Sequence, residues 1–101
     1  MDAARAALAA AGLRAADIDI FEVNESFAAL ALHFARHMGV PAERLNVNGG
    51  AIALGHAMGS TGSALIGTAL DELERRDARR ALIAACGATG LASAMIIERT
   101  P

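Results

Sequence analysis

Between Leu45 and Leu70 the chain carries no Asp, Glu, Lys or Arg, yet the stretch holds six glycines together with Asn46, Asn48, His56, Ser60, Thr61, Ser63 and Thr68. A run this long meets the roughly 20-residue requirement of a membrane-spanning helix. Its content does not fit. Polar groups in such number are costly in lipid, and Gly55 and Gly59 match the helix-dimer spacing of small residues only with His56 between them. The better reading is a buried, uncharged, glycine-rich turn that leads into a helix. Loops of that kind, held by a rigid scaffold, are where active sites are built. No association with a membrane is expected.

Composition narrows the class. A chain of 101 residues makes one domain at most, residues 1–101. Of its hydrophobic residues 26 are alanine, while Leu, Ile, Val and Phe number 24, above the roughly 20% floor below which a chain cannot bury enough to fold. Hydrophobic residues make up 54%, and ten glycines come on top of that, well beyond the about 45–50% of a soluble domain that includes its glycines. Some of this surface is expected to lie against another domain or subunit. The net charge is −2, with no lysine and one arginine cluster at Arg75, Arg76, Arg79 and Arg80. With three Phe, no Tyr and no Trp, a basic face with interleaved aromatics is lacking, so nucleic acid is not the expected partner. One cysteine, Cys86, allows no internal disulfide, and the start of the chain shows no secretory pattern. The chain reads as cytosolic or organellar-matrix, with the cytoplasm as the expected compartment.

Periodicity supplies the order of elements. Asp2 to Gly12 predicts an alanine-rich helix with Asp2 as N-cap and Gly12 as its stop. Ile18 to Val23 is β-branched and aromatic, as a buried strand should be. Phe27, Leu30, Phe34 and Met38 recur at three- and four-residue spacing on a helix that Gly39 and Pro41 end. Leu45 to Val47 reads as a short strand and Asn48 to Gly55 as loop. A helix is then expected from about Met58 to Arg76, with Leu65, Ile66, Ala69, Leu70 and Leu73 on its inner face and a charged last portion from Asp71 to Arg76. Arg80 to Cys86 and Leu91 to Glu98 predict two strands joined by a tight turn, Gly87 to Gly90. This is an α/β pattern: a mostly parallel sheet with crossover helices, finished by a terminal antiparallel hairpin. The opening helix has no strand before it, which suggests that the first strand of the unit is missing.

Polar residues fall at strand ends and in the glycine-rich turn, where open α/β sheets place ligands. They are Asn24, Glu25 and Ser26 after the first strand, His56 beside Gly55, and Cys86 at the end of the penultimate strand. The strings NESFA (24–28), NVNGGAIALGHAMG (46–59) and CGATG (86–90) occur in this order and spacing. Together they resemble the C-terminal quarter of a thiolase, the acetyl-CoA acyltransferase and 3-ketoacyl-CoA thiolase family, over essentially the whole chain.

That resemblance implies transfer of an acyl group between CoA and a 3-ketoacyl-CoA, by thiolytic cleavage or Claisen condensation, with fatty-acid metabolism and β-oxidation as the setting. It implies CoA thioesters as substrates, no cofactor, and a homo-oligomer. By resemblance His56 activates a nucleophilic cysteine and helps form an oxyanion hole, Asn24 positions a water there, and Cys86 is the acid/base that moves the α-proton. Ser26, Phe27, Gly55 and Ala88 are carried over as residues that bind the acyl-CoA. A thiolate beside neutral donors suits abstraction of a proton α to a thioester, and the glycines allow close backbone approach. Ala57 stands where the family usually has Pro, Ala88 where it has Gly, and Ser26 where it has Ala. The nucleophilic cysteine belongs to an N-terminal half that this sequence does not contain, so that half is an expected partner and the 101-residue chain is expected to be inactive by itself. A non-catalytic remnant or interaction subunit is the rival reading. His56 and Cys86 lack the spacing of a zinc site, and no metal is expected.

Overall fold

The computed structural model describes residues 2–24, 28–50, 52, 61–86 and 92–100. The first helix, α1 (Asp2–Ala11), forms because alanine has the highest helix propensity, and it buries Ala4 and Leu8, one turn apart. Asp2 belongs to its first turn. Gly12 takes a left-handed φ of +69°, so its N–H reaches the Ala9 carbonyl and the Leu13 N–H reaches that of Leu8, at 3.1 and 2.9 Å. This double hydrogen bond closes the helix. The second helix, α2 (Ala28–Met38), ends the same way at Gly39, φ +66°, where the Val40 N–H bonds the Ala35 carbonyl at 2.9 Å. The third, α3 (Thr61–Arg76), ends alike through Ala78 N–H to Leu73 O at 2.8 Å, but with Asp77 rather than glycine in the left-handed position, φ +52°.

The strands are β1 (Ile20–Val23), β2 (Arg80–Cys86) and β3 (Ala92–Glu98), in spatial order β1-β2-β3. β1 runs parallel to β2, with Val23 opposite Ala84, and β3 runs antiparallel to β2, with Cys86 opposite Ala92. Asp19 sets the register at the lower end: its carboxylate accepts the backbone N–H groups of Arg79 and Arg80 at 2.9 and 3.1 Å, and its own N–H bonds Arg80 O. Only Leu45, bridged in parallel to Phe21, realises the short strand expected over Leu45–Val47. Asn46 adopts φ +45° and turns the chain away.

Alternation along the strands divides the core into two layers. Phe21, Val23 and Leu82 face α1 and α2, joining Ala4, Leu8 and Phe34; the Phe21 and Phe34 rings meet edge to face with centroids 6.0 Å apart. Ile20, Ala81 and Ile83 face α3 and pack on Leu65, Ala69 and Leu73. All four residues of β1 are buried, as a strand covered on both faces requires. Leu70, expected inside, is 40% exposed, while Glu72 is buried beside Leu73. The third strand is less covered. Ser93, Met95 and the α3 residues Gly62, Leu65 and Ile66 line an apolar groove of about 160 Å³, with Met95 half exposed. No helix among the described residues is long and apolar enough to cross a membrane.

Candidate active site

The parallel pairing of β1 and β2 brings two of the sequence-derived candidates to the same end of the sheet. Asn24 follows the last residue of β1 and extends the ladder by donating its N–H to Ala84 O at 2.9 Å. Continuing that register sets Asn24 level with Ala85, one residue short of Cys86, whose backbone closes β2. Asn24 is 2% exposed, so its side-chain amide lies away from bulk water, where a fixed dipole acts more strongly. His56, Ser26, Phe27, Gly55 and Ala88 lie outside the described residues, as does the side chain of Cys86.

The loop that leads toward the GAIALGH string is held at two points. At the first, the Asn46 side chain lies against the outer edge of β1: Oδ1 accepts the Val23 N–H at 2.8 Å, and Nδ2 donates to Val23 O at 2.9 Å. The Asn46 backbone N–H adds a bond to Phe21 O at 2.9 Å. The left-handed φ, which Asn tolerates better than most residues, lets both its backbone and its side chain face the strand. At the second point, Asn48 Nδ2 donates to Glu72 Oε1 at 3.0 Å.

Glu72 is 2% exposed on the inner side of α3. Arg75 and Arg76 both bond its carboxylate, Arg75 through Nε at 2.9 Å as well as through its second nitrogen. Donation by Arg75, then by Asn48, lowers the Glu72 pKa to about 2, with burial opposing the shift. A charge-free loop is thus tied to the helix by an ionised acid. The sequence reading missed Asn46, Asn48 and Glu72 as structural determinants. The available signal was the helical spacing Leu65, Ala69, Glu72, Leu73, which sets an acid on the apolar stripe.

A mixed α/β sheet with Asn24 and the end of β2 side by side at one end of its parallel strands is of the open-sheet kind, a class that binds ligands at such strand ends. Residues 1–99 match the family model described as thiolase, C-terminal domain. Rat peroxisomal 3-ketoacyl-CoA thiolase B is 49% identical over 92% of the chain and 22% of its own length. Peroxisomal 3-ketoacyl-CoA thiolase 1 of Arabidopsis thaliana is 44% identical over 93% of the chain and 22% of its own. The crystal structure of human mitochondrial 3-ketoacyl-CoA thiolase in complex with CoA superposes with a TM-score of 0.92 at 42% identity, covering 96% of this chain and 25% of that one. The chain belongs to the thiolase family and spans about a quarter or less of the length of these relatives.

The relatives correct one expectation. A cytoplasmic location does not stand, because these similar proteins are peroxisomal and mitochondrial by name. That expectation rested on the first residues of a sequence matching only the C-terminal part of the family, where a leader would not be found.

Proposed function

We propose that this chain is the C-terminal portion of an acyl-CoA thiolase, contributing His56, Cys86 and Asn24 to a site whose nucleophilic cysteine comes from an N-terminal half. The observation that carries the reading is the placement of Asn24 and the end of β2 on neighbouring parallel strands, with Asn46, four residues before the GAIALGH string, bonded to the same strand end. The family match over residues 1–99 supports it.

In the cleavage direction His56 takes the proton of the nucleophilic cysteine, the resulting thiolate attacks the 3-keto carbon, and the Cα–Cβ bond breaks. The electron pair goes to Cα, which takes a proton from the Cys86 thiol, and acetyl-CoA leaves. A CoA thiol then gives its proton to the Cys86 thiolate and attacks the acyl-enzyme; the nucleophilic cysteine leaves and recovers its proton from His56. Condensation runs these steps in reverse, with the Cys86 thiolate removing the α-proton. Asn24 offers a neutral amide donor to the water or oxyanion, which adds no competing charge. Ser26, Phe27, Gly55 and Ala88 bind the acyl-CoA. Residues 1–101 act as one domain, because a single sheet runs from Ile20 to Glu98. The thiolase reading carries with it a homo-oligomer, and half-exposed Met95 beside the apolar groove under α3 is open to such a contact.

The test is reconstitution. The purified chain has no CoA-dependent cleavage of acetoacetyl-CoA, and fusion or co-expression with a thiolase N-terminal half restores it. In the restored enzyme His56→Ala forms no acyl adduct by mass spectrometry, whereas Cys86→Ala still acylates but does not condense. Activity of the chain alone, or an adduct forming at the normal rate in His56→Ala, overturns the assignment. A folded, assembled but inactive complex favours the non-catalytic reading.

A further inference from the structure

The Asn46 clamp has an unusual division of labour. One side chain supplies both the acceptor and the donor for a single residue of β1, Val23, at 2.8 and 2.9 Å, and Val23 is bonded directly to Asn24. On its other flank Asn24 is fixed by its N–H to Ala84 O. The strand end is therefore gripped from both sides. The Asn46 grip is in turn braced two residues later, where Asn48 is held by the buried, ionised Glu72 of α3. A left-handed non-glycine residue thus stands at the strand end that carries Asn24, and a buried carboxylate on α3 holds the loop two residues further on.

We infer that Asn46, braced through Asn48 by Glu72, is a positioning residue for Asn24: it fixes the backbone at Val23 so that the Asn24 amide is presented in one orientation. The inference rests on the proposed thiolase reading, since it gives Asn24 a task that depends on orientation. Asn46 touches no reacting atom in this scheme. Its effect appears in turnover and not in substrate affinity, because a group misplaced by about 1 Å can slow a reaction on the order of 100-fold while leaving the rest of the binding surface intact.

The choice of variant isolates the clamp. Asn46→Gly keeps the left-handed backbone at no steric cost and removes the two side-chain bonds to Val23. In the reconstituted enzyme, kcat falls roughly 10- to 100-fold while KM stays within about threefold. Glu72→Gln, which can still accept from Asn48, retains most of the turnover that Glu72→Leu loses. On the full 101-residue chain, amide hydrogen exchange of Asn24 accelerates in Asn46→Gly while that of Leu82 in the central strand is unchanged. Unchanged kcat in an active reconstituted Asn46→Gly enzyme overturns the inference and leaves the thiolase reading standing. If the unaltered pair shows no activity, the thiolase reading fails instead, and exchange at Asn24 still decides the clamp: equal rates in both chains overturn it. Parallel acceleration at Asn24 and Leu82 reduces Asn46 to a general stability role and also overturns it.

Discussion

β1 has four residues, all buried, with β2 along one edge and Leu45 and Asn46 along the other. β3 has seven, all exposed or half-buried, and among the described residues it pairs with β2 alone. Both flank the same central strand, so neighbourhood in the sheet does not explain the difference. What separates them is the cover on one face: α1 packs on β3, but α3 packs on β1 and β2 and leaves Met95 half exposed over an apolar groove. Burial is concentrated in the strand that leads to Asn24, and the opposite side of the sheet keeps apolar surface exposed.

Substitution at the two strands is the most direct way to break this contrast. Phe21→Ala removes a fully buried ring packed against Phe34 and is expected to cost about 3–5 kcal/mol, whereas Met95→Ala costs less than about 1 kcal/mol in the same denaturant titration. Similar values would remove the distinction between a sealed and an open strand. In the reconstituted enzyme Asn24→Ala is expected to lower kcat roughly 100- to 1,000-fold, the usual consequence of losing one polar donor at a developing charge. Met95→Gln leaves kcat within about threefold, and a larger loss there would extend the catalytic region to β3.

Acid titration sharpens the comparison. The Glu72 carboxyl lies at about 2 in the folded chain against an ordinary 4.5. Its contribution is therefore complete above the unfolded value and is lost as pH falls from about 4.5 toward 2. Denaturant midpoints of the native chain should approach those of Glu72→Gln over that interval, and parallel curves would contradict the assignment. Two smaller effects come last. Gly39→Ala is expected to cost about 1 kcal/mol; an added methyl meets nothing within 4 Å, so the cost is conformational and not steric. At the rim of β3, Arg79 and Glu98 pair at 2.6 Å but are 67% and 43% exposed, and Arg79→Ala should change stability by less than about 1 kcal/mol.

The elements that could be read from sequence were those fixed by local chemistry. Gly12 and Gly39 end their helices as glycine after an apolar stripe predicts, and the last two strands fall within a residue of their expected limits. The expected positions of Asn24 and Cys86 at strand ends match the ends of β1 and β2, where open sheets place polar groups. What escaped depends on residues distant in sequence. Nothing in the local pattern around Asn46 reveals that its side chain completes an edge 23 residues earlier, or that Asn48 meets an acid 24 residues later. The expected strand over Leu45–Val47 shrank to a single bridge for the same reason: Asn46 uses its side chain where a strand would use its backbone. Glu72 was hidden in a run of charges, although its neighbours Ala69 and Leu73 are both buried. Asp77 carried no glycine to mark its left-handed turn.

The side chain and backbone of Asn46 together occupy Phe21 O, Val23 N–H and Val23 O, which are bonding groups that β1 would otherwise offer to an incoming chain. A single residue thus serves as a terminus for the sheet, a plug in place of one more strand. Among the described residues lateral growth is thereby given a direction: these groups of β1 are taken, and β3 carries the unpaired edge. Any pairing between copies, productive or aberrant, should begin from the β3 side, and the strand end that carries Asn24 is shielded from such encounters by an asparagine amide.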